Sequence, residues 1–287
     1  MSYKIAQITS IEEMRQHVGE IKRGGNSIAL VPTMGYLHEG HMSLVDRAIS
    51  LAEHVIVSIY VNPLQFGPHE DLESYPRNIE KDIRRLSDRG VGAVFLPSDK
   101  ELYPGNYSTF VAVEGLTQSL CGRSRPTHFR GVTTVVTKLF NVVGPDYAVF
   151  GEKDYQQLQM IRHLVKDLDI PTEICGVPTV RETDGLAISS RNVYLSKQER
   201  ARAAQINLIL AATATRLTEG HEPAKELANA LSQLNKKVGY TPEYLELCDA
   251  ETLAPITELN TPARLLTAII INRTRLIDNW PVMPPTT

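Results

Sequence analysis

The chain has 287 residues, 42% hydrophobic and 22% charged, with a formal net charge of −3. This length suits two modest domains or one large one with a subdomain, and the composition is that of an ordinary globular protein. A charge so near neutral argues against a nucleic-acid or membrane-surface binder, so any phosphate site must be built locally.

In chain order, an apolar run at 28–31 reads as a strand and 41–53 as an amphipathic helix. A second strand at 55–61 (VIVSIYV) leads to a helix over 72–89, and a third strand spans 93–96. The clearest helix is 130–143, where Val132, Val135, Val136, Leu139, Phe140 and Val143 share a face. A strand at 147–150, a helix at 154–168 and a strand at 173–177 complete the alternation. Such alternation predicts an α/β fold, a Rossmann-like parallel sheet with helices on both faces. Ligands of these sheets lie beyond the carboxyl ends of the strands, at the switch point.

After about residue 180 the pattern changes. The loop RETDGLAISSRNVYLS leads to an Ala-rich helix at 197–217, a helix at 223–237 and β-rich runs at 244–248 and 264–271. We therefore expect a Rossmann-like ligand-binding domain over 1–178 and a smaller α+β domain over 179–287, with a hinge at Pro178 and the Gly185 loop.

The run PTMGYLHEGH at 32–41 links the first strand to the helix at 41–53. A helix start offers unpaired N–H groups and partial positive charge, both attractive to phosphate. Gly40 removes a side chain where a flat group such as adenine can approach the backbone. His38 and His41 make a poor metal pair, because the zinc-protease arrangement H-E-x-x-H sets its second histidine one residue later. A purely capping role for the two histidines stays open. His-x-Gly-His in this setting resembles the signature of the class I aminoacyl-tRNA synthetase and nucleotidylyltransferase superfamily, whose members attack the α-phosphate of a nucleotide.

Further segments fall where the sheet would place a site. Gln65, in NPLQF after the second strand, offers an amide to a small molecule, or else is a turn residue in solvent. Asp154 reads as a helix cap, and Lys153 beside it as a cation for a triphosphate. At about 100° per residue, Gln157 falls in the stripe of Leu158, Ile161, Leu164, Val165 and Leu168, while Gln156 points away. A glutamine on a buried face needs a partner, so Gln157 is the expected substrate residue. ISSR at 188–191 supplies two hydroxyls and a guanidinium suited to phosphate oxygens, and resembles the mobile KMSKS loop of the superfamily. Arg125, His128 and Arg130 gather at another helix start, where His128 is either a substrate contact or a structural histidine.

Taken in order, PTMGYLHEGH, NPLQF, HFRGV, FGEKDYQQL and ISSRN resemble the pantoate–β-alanine ligase family. The later stretch RLIDN is similar too, but carries no motif used for assignment. The resemblance implies a Rossmann-like domain, a C-terminal lid domain and a homodimer. It implies ATP-dependent condensation of pantoate with β-alanine to pantothenate, through an adenylate, with release of AMP and pyrophosphate. It assigns ATP binding to Met34, Gly35, Tyr36, Leu37, His38, Glu39, Gly40 and His41. Gly151, Glu152, Lys153, Asp154, Val180, Ile188, Ser189, Ser190 and Arg191 complete that set. His41 is implied as proton donor, Gln65 and Gln157 as pantoate ligands, and Gln65 also as a β-alanine contact.

The residues suit that chemistry. A carboxylate and an α-phosphate are both anionic, so His38, His41, Lys153 and Arg191, with Mg²⁺ on the triphosphate, are the groups that offset repulsion. A nucleotidylyltransferase would use the same histidines but leave the nucleotide on its product, and a catalytically dead nucleotide sensor is the non-enzyme alternative. The first fourteen residues, MSYKIAQITSIEEM, lack the apolar core of a secretory leader, and no apolar run approaches bilayer length. Cys121, Cys175 and Cys248 are scattered and form no C-x-x-C, which suits a cytoplasmic enzyme.

Overall fold

A computed structural model describes residues 5–68, 70–237 and 239–285. Residues 1–4, at the head of the segment read as lacking a leader, lie outside them. Among the described residues the elements run β1 (Ala6–Ile8), α1 (Ile11–Arg23), β2 (Ile28–Thr33), α2 (Glu39–Leu51) and β3 (His54–Ile59). Then follow α3 (Ile79–Asp88), β4 (Ala93–Phe95), α4 (Asp99–Leu102), α5 (Cys121–Ser124), α6 (His128–Val143) and β5 (Tyr147–Gly151). Next come α7 (Tyr155–Asp167), β6 (Glu173–Val177), α8 (Lys197–Thr218), α9 (Pro223–Asn235), β7 (Tyr240–Asp249), β8 (Ala263–Ile271) and β9 (Thr274–Val282).

The chain divides into two compact units. The first holds residues up to Glu114, Arg125–Glu152 and Met160–Pro178; the second holds Gly115–Ser124, Lys153–Gln159 and residues from Thr179 onward. The chain thus crosses between the units after Glu114, Ser124, Glu152, Gln159 and Pro178, the fourth crossing falling inside α7.

In the first unit six strands form a parallel sheet in the order β1-β4-β3-β2-β5-β6. The expected α/β architecture is present. The order turns around at β2, which has β3 on one side and β5 on the other, so the carboxyl ends at Thr33 and Gly151 flank the switch point. Residues Ile28, Ala29, Leu30 and Val31 are all buried, as a central strand covered on both faces requires. Ala29, Val31, Val57 and Val149 meet Met42, Val45 and Ala48 of α2 on one face. Burying a side chain of this size contributes roughly 1.5–3 kcal/mol.

Four elements of this unit differ from the sequence expectation, among them β1 and α4, short elements lying where none was expected. α1 lies where no element was expected; Ser10 caps it, accepting from the Glu13 N–H at 3.2 Å, and Met14, Val18 and Ile21 form its buried stripe. The helix expected over 72–89 begins only at Ile79, because Pro76 disfavours helix in the residue before it and Asn78 caps, accepting from the Lys81 N–H at 3.1 Å.

The second unit carries a three-stranded antiparallel sheet, β7-β8-β9, with α8 and α9. Ile206, Leu210, Ala214 and Leu217 of α8 pack with Ala230 and Leu234 of α9 and with Leu265, Ile269 and Ile271 of β8. β9 is a further unexpected element, its polar positions hiding the strand pattern. It follows β8 through Asn272-Arg273, and Asn272 takes the left-handed conformation (φ 53°) that asparagine tolerates.

One close approach fixes α6 against the turn Pro63–Gln65. A Cβ built on Gly131 would lie 2.4 Å from the Leu64 carbonyl, so nothing larger than glycine fits without movement. Gly131→Ala should destabilise the protein by about 1–3 kcal/mol through overpacking. Urea unfolding would read this as a lower midpoint at unchanged m-value.

Candidate active site

The loop after β2 is held from three directions. The Thr33 hydroxyl donates to the Ser58 carbonyl at 2.9 Å and accepts from the Gly35 N–H at 3.1 Å. Gly35 (φ 82°) and Tyr36 (φ 51°) then take left-handed conformations, which aim the N–H groups of Tyr36 and Leu37 at one carboxylate, Asp82 of α3, at 2.7 and 2.8 Å. Burial pushes the Asp82 carboxyl above its ordinary pKa, with those two amides pulling the other way. Arg85, one turn on, donates to the Leu37 carbonyl at 3.1 Å. Asp82 is a residue that sequence reasoning did not single out; its signal was an acidic residue in phase with the buried Leu86.

The loop delivers His38 as the residue before α2 and His41 in its first turn. The His38 backbone N–H donates to His41 Nδ1 at 3.2 Å, and the two rings stack with centroids 4.0 Å apart. A neutral His41 therefore accepts at Nδ1 and carries its proton on Nε2. The capping reading is thus true of His41 through its Nδ1. A Cβ on Gly40 would come within 3.1 Å of the His38 imidazole, so the space read as room for a flat ligand holds that ring. Glu39, in the same set, pairs across to Arg85 at 3.5 Å and Arg89 at 3.6 Å.

Gln65 lies in the short turn after β3 and is buried, not a residue in solvent. Its Oε1 accepts from Asn62 Nδ2 at 3.3 Å, and its Nε2 approaches the Met34 sulfur at 3.0 Å. Asn62 is itself fixed: Nδ2 donates to the Gly131 carbonyl at 3.0 Å, while Oδ1 accepts from the Leu64 N–H at 3.3 Å and the Tyr103 hydroxyl at 3.0 Å. The Gln65 carbonyl meets His128 Nδ1 at 2.8 Å and Arg125 at 3.2 Å. Arg125 also makes a two-point ion pair with Glu70 at 2.5 Å. His128 and Arg125 therefore brace the turn that carries Gln65. A cavity of about 440 Å³ opens beside Met34, Gly35 and Tyr36, with Tyr60, Arg77 and Asp99 in its walls.

In the second unit, Lys153 follows Glu152 in a short 3₁₀ turn, with its ammonium 3.8 Å from Asp154. The Lys153 carbonyl accepts from Asn279 Nδ2 of β9 at 2.9 Å, a contact with no signature in the sequence. Val180 accepts from the Ile188 N–H at 3.0 Å, closing a hairpin whose Arg181 and Ala187 form a bridge. Ser189 caps the next turn, accepting from the Arg191 N–H at 3.2 Å, and Ser190 is buried. Gly185 (φ 88°) is no bare hinge: a Cβ there would lie 2.4 Å from Asn207 Nδ2. It is the tight turn of a hydrogen-bonded hairpin.

The reading of α7 needs correction. Gln156, expected to point away, is buried: its Nε2 donates to the Leu116 and Ser119 carbonyls at 2.7 and 2.9 Å, and its Oε1 accepts from the Cys121 N–H at 3.1 Å. Gln157, expected on the buried stripe, is only half-buried. A single-stripe wheel fails because Tyr155, Gln156, Leu158, Gln159 and Met160 are all buried, so the helix start has no one buried face. Gln157 still has no hydrogen-bond partner among the described residues, so its amide is available where that of Gln156 is spent.

Known proteins resemble this chain over nearly its whole length. The family described as "Pantoate-beta-alanine ligase" matches residues 6–281. The pantothenate synthetase of Moorella thermoacetica is 48% identical over 276 residues, covering 95% of this chain and 96% of its own. That of Myxococcus xanthus is 48% identical over 277 residues, covering 96% and 95%. The crystal structure of pantothenate synthetase from Thermus thermophilus superposes with a TM-score of 0.93 at 43% identity, covering 98% of this chain and 100% of that one. Pantoate-beta-alanine ligase from Francisella tularensis, crystallised with "Beta-gamma ATP and Beta-alanine", gives 0.80 at 35% identity, with 96% and 97% covered.

The two glutamines of α7 are expected to respond differently to substitution. Gln156→Ala leaves two carbonyls and one amide without their partner and should lower the melting temperature, a cost of about 1–3 kcal/mol for each buried group left unsatisfied. Gln157→Ala should leave the melting temperature nearly unchanged and raise the pantoate KM. Paired melting curves and steady-state kinetics check both. A damaging KM change confined to Gln156→Ala would refute the assignment of Gln157.

Proposed function

The chain belongs to the pantoate–β-alanine ligase family, and from that premise we propose how its own residues run the reaction. It is an ATP-dependent ligase that condenses pantoate with β-alanine to pantothenate through pantoyl adenylate. The pantoate carboxylate attacks the α-phosphate and pyrophosphate leaves. The amine of β-alanine then attacks the acyl carbon, and AMP departs with the acyl oxygen.

The observation that carries the residue assignment is His41. With Nδ1 taken by the His38 amide, its Nε2–H is the donor at the first turn of α2, beyond the carboxyl end of β2. We assign it to the phosphate oxygens on which charge builds as pyrophosphate leaves, with His38 stacked against it. Met34, Gly35, Tyr36 and Leu37 form the loop that delivers the pair, and Glu39 and Gly40 lie between the two histidines at the start of α2; all are assigned to the nucleotide. Lys153 is assigned to the triphosphate as a cation, and Gly151, Glu152, Asp154, Val180, Ile188, Ser189, Ser190 and Arg191 to the nucleotide. Gln65 is assigned to pantoate and β-alanine: its Nε2 meets a thioether, a weak acceptor, so a substrate oxygen there is a better partner. Gln157 is assigned to pantoate for its available amide.

In this proposal residues 1–178 bind the nucleotide and pantoate, and 179–287 act as lid. Mg²⁺ enters with ATP as part of the substrate; among the described residues no three His, Cys, Asp or Glu side chains converge as a metal site. A reducing compartment, the cytoplasm, suits three buried free cysteines, and burial pushes the Cys248 thiol up to about 12. The enzyme is proposed to work as a homodimer, which light scattering on an eluting column peak would test.

Enzyme with ATP and pantoate, and no β-alanine, should exchange labelled pyrophosphate into ATP. Adding β-alanine should drain the intermediate to pantothenate and AMP. His41→Ala should slow exchange on the order of a hundred-fold, the equivalent of about 3 kcal/mol, with little change in melting temperature. Absence of exchange in the wild type, once retained pyrophosphate is excluded, would defeat the adenylate route. Near-normal exchange by His41→Ala would leave that residue only its capping role.

A further inference from the structure

The stretch RLIDN in β9 has so far been given no function. Within the second unit its last two residues, Asp278 and Asn279, are both buried, an unusual place for a carboxylate and an amide. Each is fully engaged with a segment already assigned to the nucleotide. Asp278 takes Arg181 in a two-point ion pair, both bonds 2.8 Å, and Arg181 donates on to the Gly185 carbonyl at 3.1 Å. This ties down the hairpin that runs from Val180 to Ile188 and leads into Ser189, Ser190 and Arg191. Asn279 reaches the Lys153 carbonyl at 2.9 Å.

The orientation of the Asn279 amide is set by chemistry. Arg264 Nε can only donate, and it lies 2.6 Å from Oδ1; the Lys153 carbonyl can only accept, and it faces Nδ2. Arg264 is itself buried and stacks over the Tyr155 ring, 4.1 Å from its centroid. Tyr155 follows Asp154 directly and anchors its hydroxyl on the Ala250 carbonyl at 2.9 Å. The turn bearing Lys153 is thus gripped on its own carbonyl by Asn279 and two residues later by Arg264.

We propose that Asn279 is a positioning residue for ATP, fixing Lys153 through its backbone carbonyl while Asp278 beside it fixes the Val180–Arg191 hairpin through Arg181. It touches no reacting atom and acts through the residues it holds. The inference rests on the assignment of Lys153 to the nucleotide. In physical terms, a lysine carries a flexible four-carbon stem, so its ammonium is only as well placed as the backbone beneath it.

Asn279→Asp separates positioning from packing. The carboxylate still accepts from Arg264, and gains a charge pair with it, but cannot donate to the Lys153 carbonyl and sets an oxygen against it. If Asn279 served only to hold Arg264 in the sheet, this variant would match the wild type. Positioning instead requires that the ATP KM rise and pyrophosphate exchange fall on the order of ten-fold or more. The pantoate KM should stay close to wild type. Should the variant prove less stable, the rise in its own melting temperature on adding MgATP still reports nucleotide binding. That rise should shrink relative to wild type while the rise with pantoate persists. Wild-type exchange and a full MgATP shift in Asn279→Asp would overturn the proposal. Lys153→Ala is the control: slowed exchange there with a normal Asn279→Asp sinks the positioning role alone, whereas normal exchange in Lys153→Ala removes the nucleotide role of Lys153 on which it rests.

Discussion

The geometry of the histidine loop depends on one carboxylate. Two successive amides, Tyr36 and Leu37, converge on Asp82 at 2.7 and 2.8 Å, and they can do so only because Gly35 and Tyr36 both have positive φ. Tyr36 is not glycine, so its left-handed conformation carries a cost of order 1 kcal/mol that the carboxylate bonds offset. Asp82 is buried and its charge is disfavoured by desolvation, yet the two amides give that charge its partners. A fully solvated aspartate would brace the loop weakly. A buried one without those amides would neutralise.

The same loop resolves an apparent choice between capping and catalysis. A capping side chain is usually read as spent, and for serine or aspartate a cap and a catalytic contact compete for one group. Imidazole has two nitrogens on opposite edges. The His38 amide occupies Nδ1 of His41 and, by donating there, fixes the neutral tautomer with its proton at Nε2. Capping is then the means by which the ring is oriented. Replacing His41 removes one modest capping bond, but it also removes the donor whose direction that bond had set.

The sheet was legible because central parallel strands are largely apolar; β2, β3 and β5 show this in residues such as Ile28 to Val31. What went unread were elements whose buried apolar positions are few and widely spaced, such as Met14, Val18 and Ile21 in α1. α1 depends on a Ser10 cap outside any long apolar run, and β9 carries Arg275, Asp278 and Asn279 where a solvent-facing strand would alternate. The histidines, Gln65 and Lys153 could be singled out as candidates because chemistry demands particular residue types at particular offsets. Asp82, Asn62 and Asn279 were not, since a supporting residue is defined by what it meets across the fold, and that partner is most often a backbone group with no sequence signature. Gln156 shows the reverse error. Its helix start is covered on several sides, and the periodicity argument presumes just one.

Asn62 and Asn279 use the same device in separate units. Each holds its amide between a backbone carbonyl, which can only accept, and a group that can only donate: the Leu64 N–H for Asn62 and Arg264 Nε for Asn279. An amide so placed has one orientation, because turning it over would set donor against donor and acceptor against acceptor. A carboxylate of the same shape lacks the donor end, and a leucine lacks both, so neither side chain could transmit orientation in this way. Asn62 passes its orientation to the Gln65 amide, and Asn279 passes its own to the Lys153 backbone. The two assigned side chains are long and flexible, with rotamer freedom that binding would otherwise have to suppress. In the roles proposed for Gln65 and Lys153, ordering their bases during folding moves part of that entropic cost out of the catalytic cycle, a physical reason to bury a polar asparagine beneath each.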